Sequence, residues 1–347
     1  MFHVKQNPNS NENHQIQVQK EIFEEIKEII KKTDVSLVDD LASLLNVSTD
    51  SAYRRIRCDK FVTIDELEKI CRHYNISFDK HLAHLDENNV VFKVALKKET
   101  LSFDAFLSGI LTDLKRINSF PDHKLIYSAK EIPIFHFFQI PELAAFKMFY
   151  WMKTLFQMPE YENVSFSPDF VSPKYLELSK QISEEYSNTN TYEIWNYESI
   201  HSILAQLEFY YESGFMTQEM ALKILEKLKE LIFHIRKQAD VEYKFPIKGA
   251  GAGKEKSRNY YLYNNEIILS DNTIYAQYGK ESKCYIPHAL LYYMSTTDQK
   301  YCDHIHNVFN GVIRKSTMIS GVAEKHRAIF FNYILQRIEE KRAKLER

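Results

Sequence analysis

The chain reads as mainly α, with an amino-terminal bundle of five short helices followed by a larger α+β region. Three observations carry that reading. Apolar residues recur at three- and four-residue spacing through most of residues 18–85 and through several stretches between 103 and 345. Only 8 Gly and 9 Pro occur in 347 residues, so few positions interrupt a helix. Runs rich in β-branched and aromatic residues appear after residue 88, where strands are expected. The length suits two or three units. We divide it into a disordered tail over 1–16, a helical module over 17–88 and a mixed region over 89–347, with a subdivision near 240.

In order along the chain, residues 6–19 are rich in Asn and Gln and carry no apolar stripe of their own. Val18, Ile22, Ile26, Ile29 and Ile30 then mark the inner face of a first helix ending near Lys32. Ser36 offers an N-cap hydroxyl, and Val38, Leu41, Ala42 and Leu45 give a second helix, which Asn46 stops because Asn tolerates left-handed backbone. Val47 is placed to plug the angle to a third helix capped by Ser48, with Asp50 in its first turn. At about 100° per residue, Ser48, Ala52 and Ile56 point inward. Asp50, Ser51, Arg54 and Arg57 point outward, with Tyr53 and Arg55 on the flanks. Thr63 and Glu66 form a capping box before Leu67, Ile70, Cys71 and Tyr74. Asn75 ends that fourth helix, Ile76 and Phe78 follow as plugs, and Phe78–Leu85 is a fifth.

Two short helices meeting at Leu41-Ala-Ser-Leu-Leu-Asn-Val-Ser48, inside five helices, resemble the lambda-repressor-like (Cro-type) helix-turn-helix family over roughly residues 18–85. The resemblance implies that the helix after the turn, Thr49–Arg57, enters the major groove of double-stranded DNA. The turn carries Asn46 where that family usually has Gly. Chemistry points the same way without the family name. A groove about 12 Å wide admits one helix, and arginine can donate two hydrogen bonds to guanine. The residues expected at base edges are Thr49, Asp50, Ser51, Tyr53 and Arg54, with Arg54 at the centre. Arg55, Arg57 and Lys60 are expected at phosphates, which set register without reading sequence. Asp50 serves the helix dipole or reads cytosine. The competing reading of the whole face is a solvated protein-interaction surface.

In the larger region, Asn89–Leu96 and Lys124–Ser128 read as strands flanking a helix from Phe103 to Ile117. The helix from Pro141 to Phe156 is apolar nearly all round and is expected to be buried on every side. Helices follow at Ser172–Tyr186, Tyr197–Tyr211 and Thr217–Gln238, then strands at Val241–Ile247, Asn259–Ser270 and Thr273–Tyr278. Helices at Gln299–Ile313 and Ala323–Leu345 close the chain. Ile132–Lys147 and Ser316–Lys325 look like segments of uncharacterised bacterial regulators that join a DNA-binding module to a larger domain. That likeness implies domain order and no functional residues.

Chemical motifs in this region are weak. Gly249-Ala-Gly-Ala-Gly-Lys254 is too short for a phosphate-binding loop and has Glu255 where a magnesium-binding hydroxyl belongs. It reads as a surface loop. Cys302, His304 and His306, with Cys284 or His288, match no standard zinc spacing, and nothing orients Cys284 and His288 as nucleophile and base. The expectation is no metal, no cofactor and no catalysis. The 22 Tyr and 23 Phe serve a core or line a pocket for a small molecule.

A net charge of −2 excludes a polycation that coats nucleic acid unselectively, so affinity has to come from a local patch and from two modules in a homodimer. Four scattered cysteines favour a reducing compartment, and the most apolar stretch, residues 132–156, is broken by Pro, His, Glu and Lys. The reading is a bacterial, cytoplasmic transcription regulator whose large region senses, dimerises or both. The alternative is an effector enzyme or interaction scaffold whose helical module serves targeting or autoregulation.

Overall fold

Helix caps and two separate hydrophobic clusters organise the chain in the computed structural model, which describes residues 8–31, 35–82, 89–94, 102–247, 257–267, 271–288 and 292–346. The chain divides between Val91 and Phe92 into two units, each with a core of its own.

The first unit contains α1 (Pro8–Ile30), α2 (Leu37–Leu45), α3 (Thr49–Ile56), α4 (Ile64–Tyr74) and α5 (Phe78–Leu82). Its core joins Val18, Ile22, Phe23 and Ile26 of α1 to Leu41, Ala42, Leu45, Ala52, Ile70 and Tyr74; Phe23 lies off the stripe read from the spacing, and Ile29, which lies on it, is exposed. The turns are set by left-handed residues, Asn46 at φ 53° after α2 and Asn75 at φ 53° after α4, where Asn loses less than other side chains. Thr63 and Glu66 make the capping box. Two further expectations need correction. The segment 8–16 is helical rather than a tail, because α1 starts at Pro8, a residue pre-set for the first helical position. Ser36 occupies the N-cap of α2 but its hydroxyl makes no capping bond.

The second unit is a seven-stranded mixed sheet with helices on both faces. Its elements are α6 (Phe103–Asn118), β1 (His123–Ser128), α7 (Ile134–Phe137), α8 (Pro141–Tyr150), α9 (Pro173–Asn188), β2 (Thr191–Trp195), α10 (His201–Glu212), α11 (Gln218–Val241), β3 (Tyr260–Asn264), β4 (Thr273–Tyr278), β5 (Glu281–His288), β6 (Tyr292–Thr296), α12 (Gln299–Arg314), β7 (Thr317–Met318) and α13 (Glu324–Leu345). The strand order is β6-β5-β4-β1-β2-β3-β7. The β1, β2 and β3 strands run parallel and the remaining pairs antiparallel. Side-chain alternation sorts the faces. Ile126, Ile194, Tyr275 and Cys284 meet Cys302 and Phe309 of α12, whereas Leu125, Tyr127, Trp195, Tyr260, Leu262 and Ala276 face the larger cluster with α6, α8, α9, α11 and α13.

The apolar helix is buried from Leu143 to Phe149 as its composition demands, and its last turn, Trp151–Leu155, is a π-helix. Two strands read from sequence do not form among the described residues. Val241 is still in α11, and Tyr243–Ile247 is irregular, its direction changed by Glu242 at φ 54°. Asn89–Val94 makes a single bridge, Lys93 to Ser295, and the rest of that expected strand lies outside the described residues. So does the Gly249–Lys254 loop. No helix among the described residues is long and apolar enough to cross a membrane.

Candidate nucleic-acid interface

The eight residues of α3 are too few to hold a helix by backbone bonding alone, so its position depends on what grips it. Ser48 caps the start, its Oγ accepting from Ser51 N at 3.2 Å, and Ala52 is fully buried in the core. At the other end Gln19 of α1, itself buried, donates from Nε2 to the carbonyls of Arg55 (2.8 Å) and Lys60 (2.9 Å) and accepts from Val62 N (3.0 Å). One amide thereby adds a second bond to the Arg55 carbonyl, which also accepts from Cys58 N at 3.0 Å, and satisfies Lys60 O and Val62 N, which the turn would leave open. Cys58 in that turn sits at φ 64°.

Arg55 corrects the sequence reading. Its side chain is 3% exposed, with Nε 3.0 Å and Nη2 2.7 Å from the two carboxylate oxygens of Glu66, and Nη1 donates to Ser51 O and Oγ. All three guanidinium nitrogens are engaged within the fold, so Arg55 is a brace between α3 and α4 and not a side chain free to reach a phosphate. The Arg55 guanidinium holds the Glu66 carboxyl below its ordinary range. Ser51, expected outward, is half-buried with its hydroxyl engaged by Arg55. Ser48, expected inward, is exposed at the cap.

With the inner side so fixed, Thr49, Asp50, Tyr53, Arg54 and Arg57 are exposed, and Lys60 follows in the turn. Arg54 makes no side-chain hydrogen bond or ion pair among the described residues. Arg57 lies over the Tyr53 ring at 5.7 Å and pairs loosely with Asp59 at 3.5 Å. The face therefore presents three cations, Arg54, Arg57 and Lys60, against Asp50 and Asp59, with one aromatic ring among them. Phe61 and Ile64 extend it with exposed apolar surface. The brace through Gln19, Arg55 and Glu66 was missed in the sequence, and only the Thr63–Glu66 capping box gave a sign that Glu66 was committed.

The residues weighed for metal or catalysis are dispersed. The Cys302 thiol is buried and donates to Thr296 O, and Cys284 is buried beside it on the same face of the sheet. The His306 ring is stacked on Tyr275 and accepts from Lys124 Nζ at 3.1 Å. No three His, Cys, Asp or Glu side chains among the described residues converge on a metal position.

A second polar cluster lies under the sheet. The Glu193 carboxylate of β2 is fully buried and accepts from His136 Nε2, Tyr186 OH and Trp195 Nε1 at 2.6–3.0 Å. Nearby, Lys244 Nζ donates to Thr189 O at 2.7 Å and lies over the Tyr186 ring. Burial lowers the Lys244 ammonium to about 7. The cluster has no route to solvent through its own members, each of which is buried, and its bonds tie α7 and α9 to Glu193 and Trp195 of β2. Compared with protein-family models, curated proteins and solved structures, the chain matches none.

Proposed function

We propose that this protein is a sequence-specific, double-stranded-DNA-binding transcription regulator in which α2 and α3 form a helix-turn-helix and α3 is the reading helix. One observation carries the reading. The α3 helix is gripped from the inside by Gln19, Arg55 and Ala52, and this leaves Thr49, Asp50, Tyr53 and Arg54 as a free outer side. A recognition helix needs that division, since a side chain engaged in its own fold cannot reach a base edge.

Arg54 is assigned the guanine contact, and Arg57 and Lys60 the phosphates. The near-neutral chain makes one module weak, so the working unit is a homodimer on a near-palindrome, with the second unit supplying dimerisation, a signal, or both. Selection from a random DNA library with the intact protein tests this. A defined sequence is expected, with affinity falling steeply with salt. Arg54→Ala should relax preference at one position and cost about 1–3 kcal/mol of discrimination. Lys60→Ala should weaken all sequences alike and reduce the salt slope by about 1. No enriched sequence, together with unchanged DNA affinity in Arg54→Glu, sinks the proposal.

Exposed Phe61 and Ile64 beside α3 favour a second reading, a protein-docking face. It predicts that Ile64→Asp abolishes capture of a partner while DNA selection yields nothing.

A further inference from the structure

The second unit holds a cavity of about 450 Å³, between α6, α8 and the sheet, within the size range of small-molecule sites. Its walls are largely aromatic and aliphatic, with Phe106, Ile134 and Trp151 on the helical side and Tyr292 on the sheet side. Two charged pairs reach it, and they differ in how far they are satisfied. Asp113 accepts from Lys283 Nζ at 3.1 and 3.3 Å and from Tyr285 OH at 3.0 Å, so that pair is closed on itself.

Lys147 is open. Its side chain is 5% exposed and its Nζ lies 5.6–5.8 Å from the ring centres of Phe137, Tyr150 and Trp151. An ammonium has three N–H donors. Among the described residues this one has a single acceptor at hydrogen-bond distance, Gln206 Oε1 at 2.9 Å, with the Glu131 carboxylate further off at 3.7 Å. A buried cation with unused donors at the wall of an apolar cavity is costly unless a further acceptor arrives. An independent sign comes from Gly109, which lines the same cavity inside α6. Glycine is a poor residue for a helix interior, and a Cβ built there meets no atom within 4 Å. Gly109 is exposed, so the open space beside it reaches solvent, and a longer side chain there would take up room along the cavity's lining.

We propose that this cavity binds an amphipathic carboxylate with a flat apolar body, its carboxylate on Lys147 and Gln206 and its body against Trp151 and Gly109. The inference is independent of the DNA reading, because binding is measured without DNA and each can fail alone.

The test is calorimetric titration of the full-length protein with biphenyl-4-carboxylate, the matched primary amide and the matched methylammonium. One carboxylate per chain is expected, with the amide at least tenfold weaker and the methylammonium silent. Glu131→Gln should tighten carboxylate binding severalfold by removing a competing anion. Lys147→Met should weaken it at least tenfold. Gly109→Leu, which improves the helix while filling the cavity, should abolish it and keeps the test decisive if Lys147→Met does not fold. Preference for the methylammonium, full binding in Gly109→Leu, or no saturable heat from the carboxylate at millimolar concentration each overturns the proposal.

Discussion

Arg55 shows how a single side chain changes the meaning of its neighbours. Spacing places three arginines on or beside one helix, yet the 3% exposure of Arg55 and its two-point contact with Glu66 make it part of the fold. Removing one member of a buried ion pair leaves the other uncompensated, which costs about 3–5 kcal/mol. Arg55→Met is accordingly expected to lower the unfolding free energy of the first unit by that amount, read as a lower urea midpoint, and adding Glu66→Leu should recover much of it. A loss in the double variant as large as in the single one would show that the pair is not the cause. The pH dependence has a definite sign. Arg55 lowers the Glu66 pKa in the folded state from its ordinary 4.5. The stabilisation is therefore complete above that value and is lost as pH falls through the lowered one. Arg55→Met should flatten the acid limb of the stability profile. At Asn46, φ 53° and ψ 50°, replacement by Ala should cost about 1 kcal/mol, since Ala keeps the Cβ that left-handed backbone crowds and lacks the short polar side chain that eases it, whereas Gly should be tolerated.

At the scale of elements, what was legible followed from what each segment buries. Helices with one apolar stripe, such as α4 and α11, have their buried residues at the spacing read from sequence. Strands β2, β5, β6 and β7 were not foreseen, and for the first two the physical reason is plain. The Thr191–Trp195 strand carries a buried Glu193, whose charge is satisfied by His136 and Tyr186 from other elements as well as by Trp195 two residues on. The Glu281–His288 strand contains Pro287, which reads as a strand breaker. It is accommodated because β4 pairs only as far as Tyr285, so nothing on that side needs the missing N–H. The candidate site was legible in its outward residues and not in its grip. Gln19 precedes α3 by thirty residues, and no local pattern marks a glutamine as the partner of three backbone groups. Gln19→Ala should strand Lys60 O and Val62 N, at about 1–3 kcal/mol for each one left buried. Amide exchange at Val62 and in the last turn of α3 is expected to accelerate while that of Ile70 changes little; equal acceleration at both would mean global destabilisation.

For the whole molecule, separate cores in the two units imply separate cooperativity. Unfolding in urea should proceed in two transitions, with Ile70→Ala, which opens a cavity in the smaller core, shifting one of them alone. The larger transition carries its own pH signature through Lys244. Burial lowers that ammonium to about 7 from an ordinary 10.5. Between these values the unfolded chain holds a proton that the folded unit lacks. Stability must then rise with pH across that window, because it rises wherever the unfolded state binds more protons. In Lys244→Met the larger transition should lose this slope, while the smaller one, which contains no part of the cluster, keeps its wild-type profile. A single transition, or a slope change shared by both, would mean that the two cores fold as one.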